Sequence, residues 1–535
     1  NKKNSEFSYN FESLKYGESF RGTRHLFNSK VTTGNTAINA NISFLENEST
    51  LEKTTFLKVD ANVKHSFKTS WIGALFSAEE NQRTDISTQK LNLLSQKFLN
   101  YGVFVGVGDS TKVYAKIGID FRNNDSVRTD QLTRVNNSKN YYIKSKLVQH
   151  KNAQVGIYMN YRTVDNIYQE DINSLNSRLN YTQKLFQNFI RWTTVYETSS
   201  GTSPQQQFAY VKTEPGQGFY TWIDYNNNGI QEFEEFEIAK FSDQADYLRV
   251  TLPSINYIKI NQTKFSQSLH INPIQWRSSE GFKKVISQFS NQSYILVDTK
   301  KKREGSGFDL NPFDTDNPFV LGLINTLKNS IFFRRGLQQY STTYTYSKSQ
   351  IKNNLGIGFQ ESKNTLRQLS FQHRLGAFWL IDLKGAQVNT NSNNENYSDR
   401  NYKINSKEVT PLLTYSFSKN SNFSLNYEYK NKDEALTFST LELHKIGTSY
   451  QFSHPKKGAV LADFNLYKNT FKGSVNSPIA YEMLEGLQPG NNLVWNLIAQ
   501  KKLTSYLHLN INYSGRKSET SKTIHTGSVQ IRAVF

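Results

Sequence analysis

The sequence predicts an all-β chain: a large antiparallel β-barrel that crosses a membrane with its strands. Three observations lead there. Apolar and polar side chains alternate over most of the length, aromatics are abundant beside few aliphatics, and no apolar run is long enough for a helical span. Hydrophobic residues make up 36% of the 535, yet aromatics reach 13%, with 30 Tyr and 36 Phe. A soluble chain of this size fills its core with Leu, Ile, Val and Ala. Scarce aliphatics beside plentiful aromatics suit strands that are wet on one face and end at membrane interfaces. Disorder also lowers hydrophobicity, but it depletes aromatics and β-branched residues.

The longest apolar stretches, such as Gly376 to Leu383, are broken by charge within about 8 residues, short of the ~18 a membrane helix needs. If the chain spans a bilayer it must do so as a closed sheet, because hydrocarbon offers no partner to an open edge. The absence of cysteine excludes disulfides, thiolate metal sites and Cys nucleophiles and suits an envelope protein. No signal peptide is visible from Asn1 onward, so a mature chain or the C-terminal part of a longer one is expected. Net charge is +19, from 64 basic and 45 acidic residues. Clustered, such an excess points to nucleic acid. Here Lys and Arg recur singly along strand after strand, which suits a cationic lumen or a rim facing anionic lipid headgroups. Nucleic acid is not an expected partner.

Period-two alternation places successive side chains on opposite faces of a sheet. Leu57, Val59, Ala61 and Val63 interleave with Lys58, Asp60, Asn62 and Lys64. Val113, Ala115, Ile117, Ile119 and Phe121 alternate with Lys112, Lys116, Asp120 and Arg122, and Val155, Ile157, Met159 and Tyr161 with Gln154, Asn160 and Arg162. Late in the chain come Phe423, Leu425, Tyr427 and Tyr429, then Leu507, Leu509, Ile511 and Tyr513. A soluble antiparallel sheet also alternates. One that repeats from residue 54 to 535 would have to split, curl or close.

Short connections at His150-Lys151-Asn152, Lys419-Asn420-Ser421-Asn422 and Gly106-Val107-Gly108-Asp109 predict tight hairpins. Polar links at Arg122 to Lys139, Thr163 to Leu175 and Asn389 to Asn401 predict exposed loops on the opposite rim. At ~10 residues per strand, roughly 22 to 26 strands are expected. Barrel strands fall in 1–200, an interrupted region in 201–336, and the remaining strands in 337–535.

Within the interruption, Asp224 to Glu235 satisfy the calcium-loop pattern D-x-[DN]-x-[DN]-G-x5-E. Asp224, Asn226 and Asn228 would present side-chain oxygens, and Gly229 would permit the turn. Ile230 would give its carbonyl, Glu232 a direct or water-mediated contact, and Glu235 a bidentate carboxylate. These twelve residues resemble an EF-hand loop, but no entering helix precedes them. A short helix over Glu232–Lys240 is expected to follow. Calcium is therefore the expected cofactor, bracing an extracellular excursion; a plain Asn-Gly turn with solvated acids is the alternative. The run Lys300-Lys301-Lys302-Arg303 reads as an exposed loop, able to touch lipopolysaccharide phosphate or an acidic partner. Asn317-Pro318, with Phe319, Leu323 and Leu327 at spacing four, predicts a short amphipathic helix.

The end of the chain carries a resemblance. Gly527-Ser528-Val529-Gln530-Ile531-Arg532-Ala533-Val534-Phe535 alternates and stops on an aromatic. It resembles the C-terminal signal strand of bacterial outer-membrane β-barrels. That resemblance implies an outer-membrane location, recognition by the barrel-insertion machinery, and a last strand that closes on the first. Val529, Ile531, Ala533 and Phe535 would share the lipid face. The Asn-, Lys- and aromatic-rich style resembles barrels of Bacteroidota, and Asp125-Ser126-Val127 resembles that phylum's O-glycosylation sequon.

No catalytic grouping emerges: no H-E-x-x-H, G-x-S-x-G or phosphate-cradling loop occurs. His508 and Ser514 share the predicted lumenal face of one strand. Outer-membrane phospholipases use such pairs, but six residues of strand separate these two by ~20 Å. A non-enzymatic role is expected. It is either a large pore or translocation component of an envelope complex, or an anchored assembly subunit whose calcium-braced loops bind other envelope proteins. A barrel of this size encloses more space than its own side chains fill.

Overall fold

The computed structural model describes residues 3–109, 112–204, 207–252, 257–336, 339–355, 358–455, 458–504 and 506–533. Asn1, Val534 and Phe535 lie outside the described residues, so the terminal aromatic of the signal-strand resemblance is not placed. The chain is all-β. The first strands are β1 (Lys3–Tyr16), β2 (Phe20–Thr33), β3 (Thr36–Ser49), β4 (Glu52–Ser66), β5 (Ser70–Asp85) and β6 (Gln96–Gly108). Next come β7 (Tyr114–Arg128), β8 (Gln131–Gln149), β9 (Ala153–Asn166), β10 (Ile172–Leu185) and β11 (Ile190–Pro204). Four short strands follow: β12 (Gln207–Lys212), β13 (Tyr220–Trp222), β14 (Phe236–Ile238) and β15 (Tyr247–Leu252). Long strands then resume with β16 (Tyr257–Ile271), β17 (Phe289–Lys302), β18 (Val320–Phe333), β19 (Tyr340–Leu355), β20 (Gly358–Leu375) and β21 (Trp379–Asn394). The last are β22 (Tyr402–Ser418), β23 (Ser421–Glu434), β24 (Thr440–His454), β25 (Gly458–Lys472), β26 (Gly490–Lys502), β27 (Leu507–Ser518) and β28 (Ile524–Ala533).

Each wall strand pairs antiparallel with the next, β1 through β11 and then β16 through β28, in one 24-stranded sheet. That number lies inside the expected range. The interruption is narrower than 201–336: β16, β17 and β18 belong to the wall, and among the described residues only β12–β15 form a separate four-stranded sheet. Among the described residues no ladder joins β28 to β1. The closing pair implied by the resemblance is thus not among the ladders of the described residues.

Alternation sets the two faces. Val103, Val105 and Val107 are about half exposed at 55%, 52% and 52% and lie level with Ile119, Ile117 and Ala115. An apolar face that continuous is solvated by lipid, not water. Tyr–His pairs mark its edge near the long-loop rim: Tyr9–His25 at 2.8 Å, Tyr427–His444 at 2.7 Å and Tyr513–His525 at 2.9 Å. On β24 the outward face then runs through Ile446, Thr448 and Tyr450 to Phe452. That is about 27 Å along the strand, or about 21 Å of membrane depth at the usual tilt. The inner face packs bulky rings against glycine. Gly106 sits opposite Trp71, where a Cβ would stand 2.2 Å from the ring, and Lys116 lies 3.8 Å from the Phe104 ring centroid.

Hairpins at His150–Asn152 and Lys419–Asn420 are tight as expected, on the rim opposite the long connections. The links at Arg122–Lys139, Thr163–Leu175 and Asn389–Asn401 are corrected: most of their residues continue β7–β10 and β21 beyond the lipid band. Their polarity on both faces reflects a wall wet inside and out. The basic run is corrected too. Lys301 is 5% exposed and held by Asp309 at 2.6 Å and Asp314 at 3.0 Å. The 303–319 connection straps back over the outer face: Tyr196 donates to the Leu310 carbonyl, and Phe265 packs on Phe313. The helix expected from Phe319 to Leu327 is instead β18. A spacing of four returns a side chain to the same face in a strand as well as in a helix.

Candidate functional site: a lid inside the long-loop rim

The 207–252 sheet folds inward across the mouth of the barrel. Its core is aromatic: Tyr210 stacks on Phe236 with centroids 4.0 Å apart, and Phe236 meets Tyr247 edge-on at 5.0 Å. This core supports the predicted calcium loop. Asp224 accepts hydrogen bonds from the Asn228 and Gly229 amides at 3.1 and 2.8 Å. Asn226 Oδ1 accepts from Asn228 N, and Asn228 Oδ1 from Ile230 N. Gly229, at φ 71°, takes the left-handed turn assigned to it. Asn226 Nδ2 donates to Glu232 at 2.7 Å.

Glu235 ties the end of the loop to its start. It is 1% exposed, and its carboxylate accepts from Trp222 Nε1 at 2.7 Å and Tyr225 N at 3.1 Å. Among the described residues, no three His, Cys, Asp or Glu side chains converge as a metal cluster. The helix expected over Glu232–Lys240 shrinks to a 3-10 turn, Phe233–Glu235, followed by β14.

The lid meets the inner face of the far wall through polar contacts. Arg400, after β21, pairs with Glu237 at 2.7 Å and donates to the Glu234 and Phe236 carbonyls. Arg516 on β27 pairs with Asp243 at 2.6 Å. The 473–489 connection supplies the third anchor, with helix α1 (Pro478–Met483). Ser477 caps this helix by accepting from Ala480 N, and Pro478 opens it. Ile479, Ala480, Met483 and Leu484 pack on Ile404, Leu441 and Leu443 of the wall. Tyr481 donates to the Ile238 carbonyl, Lys240 pairs with Glu482, and Asn476 donates to the Tyr225 carbonyl. Beneath them Glu485 holds Lys430 and Lys432, each at 2.9 Å.

Burial shapes the electrostatics of these anchors. It raises the Glu237 carboxyl to about 7, outweighing the pull of Arg400. Burial also opposes ionisation of Glu485, but Lys432 and Lys430 together bring it down to about 2. The Tyr225 and Tyr481 hydroxyls are raised, chiefly by burial, Tyr481 to about 12. Two cavities flank the lid. One of about 320 Å³ lies between its aromatic core and β19–β22, lined by Tyr210, Glu237, Arg249 and Arg400. The other, about 550 Å³, is lined by Asn226, Glu232 and Glu235 together with Thr437 and Asn476. Three of the predicted calcium ligands therefore border one space.

The sequence reading missed Arg400, Arg516, Glu237 and Glu485. Only the Ser477-Pro478 helix start was a legible signal near them. His508 and Ser514 stand on the inner face of one strand, β27, and are not brought together.

No family model matches the chain, and no curated protein matches it. Among solved structures, it is similar to the ferric-catecholate import receptor Fiu from E. coli K12 in its closed form, at 9% identity. That match covers 96% of this chain and 77% of that one, with a TM-score of 0.32. It is similar to BauA, the ferric preacinetobactin receptor from Acinetobacter baumannii, at 8% identity over 99% and 79% of the two chains, TM-score 0.33. The copper transporter OprC matches at 7% identity over 96% and 74%, TM-score 0.34. At these scores the likeness assigns nothing to individual residues.

Proposed function

We propose that the chain is a gated transport barrel of the bacterial outer membrane, whose 207–252 lid closes the long-loop mouth until cargo or a partner releases it. The observation that carries this is the span of the lid. It leaves the wall between β11 and β16 yet is ion-paired to Arg516 on β27, on the far side of the sheet. An open pore has no use for such a cross-brace, and a simple anchor has no use for so wide a lumen. The role is transport rather than catalysis. The alternating strand β28 is the segment through which insertion machinery would handle the chain. The proposal includes calcium at the lid, with Asp224, Asn226, Asn228, Glu232, Glu235 and the Ile230 carbonyl as the oxygen set.

Conductance in planar bilayers tests the gate. The native protein should be nearly silent, and Arg400→Gln combined with Arg516→Gln should open large, steady steps. Equal conductance in the two proteins would overturn the reading.

A further inference from the structure

The short-turn rim holds a second group of cations, remote from the lid. The 272–288 connection contains a short helix (Phe282–Ile286) and folds over the short-turn ends of the wall. With the turn after β18 it lines an open cavity of about 280 Å³, whose lining includes the half-buried His270 and Arg334 and the exposed Arg277 and Arg335. Arg191 lies directly across from His270 in the β11–β16 ladder. None of these arginines forms an ion pair among the described residues. Their planar faces rest on rings instead: Arg334 lies 3.8 Å from the Tyr340 centroid and Arg335 4.2 Å from that of Phe332. The covering connection adds Lys283 and Lys284 against one carboxylate, Glu280.

Two residues of this lining each keep a buried nitrogen with no hydrogen-bond partner, Arg334 Nε and His270 Nε2. A buried donor left unmade is costly, more so when charged, so cations held together without anions mark a place for one. Guanidinium groups approaching from several elements suit a tetrahedral oxyanion better than a planar carboxylate. The contrast with Lys301 is instructive, because there the chain supplies Asp309 and Asp314 itself.

We propose that this cavity binds a phosphate group, gripped by Arg277, Arg334 and Arg335 with His270 beside them. The group can belong to a soluble phosphate or to a lipid headgroup reaching the rim past Phe289, which lines the same cavity and is 43% exposed.

Titration calorimetry on the detergent-solubilised protein tests this with two probes, inorganic phosphate and short-chain phosphatidylglycerol. Trp276, on the covering connection and 5.0 Å from Phe189, gives a local fluorescence readout. Saturable binding should weaken at least tenfold in Arg277→Gln/Arg335→Gln. It should be unchanged in Lys146→Gln/Lys502→Gln, which removes cations near the same rim outside the cavity. Heat-modifiable gel migration confirms that each variant is folded. Tenfold tighter binding of the lipid identifies a headgroup, and tighter or comparable binding of the free ion identifies soluble phosphate. Binding of neither probe, or binding that the arginine substitutions leave intact, overturns the proposal.

Discussion

Arg400 reaches from the β21–β22 connection to place its guanidinium 2.7 Å from the Glu237 carboxylate, on a strand of the lid. The pair is largely withdrawn from water, with side chains 23% and 12% exposed. Removing one partner of such a pair is more disruptive than removing both, because the survivor stays buried and uncompensated. Arg400→Gln should loosen the lid more above pH 7 than below it. Glu237, raised to about 7 even beside Arg400, protonates at the lower pH instead of staying charged without its partner. Arg400→Gln/Glu237→Gln should restore part of the loss. Hydrogen exchange of the 207–252 amides measures both.

The two carboxylates at the anchors predict opposite pH slopes. Glu237 has a folded pKa raised from 4.5 to about 7. Its contribution is therefore complete below about 4.5 and is lost as pH rises through 7. Glu485 is lowered from 4.5 to about 2, so its contribution is present above about 4.5 and lost as pH falls through 2. Exchange in the lid should quicken toward neutral pH, and exchange in the 473–489 connection toward strong acid. Parallel slopes in the two segments would contradict this assignment.

Glu485→Gln should release the α1 connection more than any other single change there. It leaves Lys430 and Lys432, whose side chains are 13% and 9% exposed, without their shared anion. The expected cost is about 3–5 kcal/mol, visible as proteolytic cleavage within 473–489 while the wall remains resistant.

Gly106→Val should destabilise the wall itself by about 1–3 kcal/mol. The new side chain would occupy the space of the Trp71 ring, which is 8% exposed and has Lys64 at 4.6 Å. Urea unfolding in detergent should show the shift, and the partner change Trp71→Ala in the same chain should relieve the clash.

Calcium should alter the lid if the loop binds it. Because Trp222 donates to Glu235, ion-induced movement of that carboxylate should change indole fluorescence. Asp224→Ala should abolish both the fluorescence change and the calorimetric heat. A native protein that gives no heat with calcium would remove the metal from the account.

The wall was legible because burial at period two leaves a trace in almost every strand; Phe423 to Tyr429 suffices to orient β23. Its upper half was not. Above the lipid both faces are wet, so segments such as Arg122 to Arg128 lose the contrast that marks a strand and look like loops. Lys301 misled for a different reason: four adjacent cations signal exposure only when no carboxylates fold over them, and Asp309 and Asp314 do. The lid was visible as a break in the pattern and through its Asp224–Glu235 motif. Its docking partners, contributed by connections up to 273 residues away in the chain, left no local mark.

On β8 the strand continues above the outward Tyr141 to Gln131, about 33 Å of extra length. At β8 the wall therefore stands off the lipid as paired sheet, over a length comparable to the part the bilayer hides. A partner approaching this hairpin from that rim would meet paired backbone up to the two-residue turn between Arg128 and Gln131.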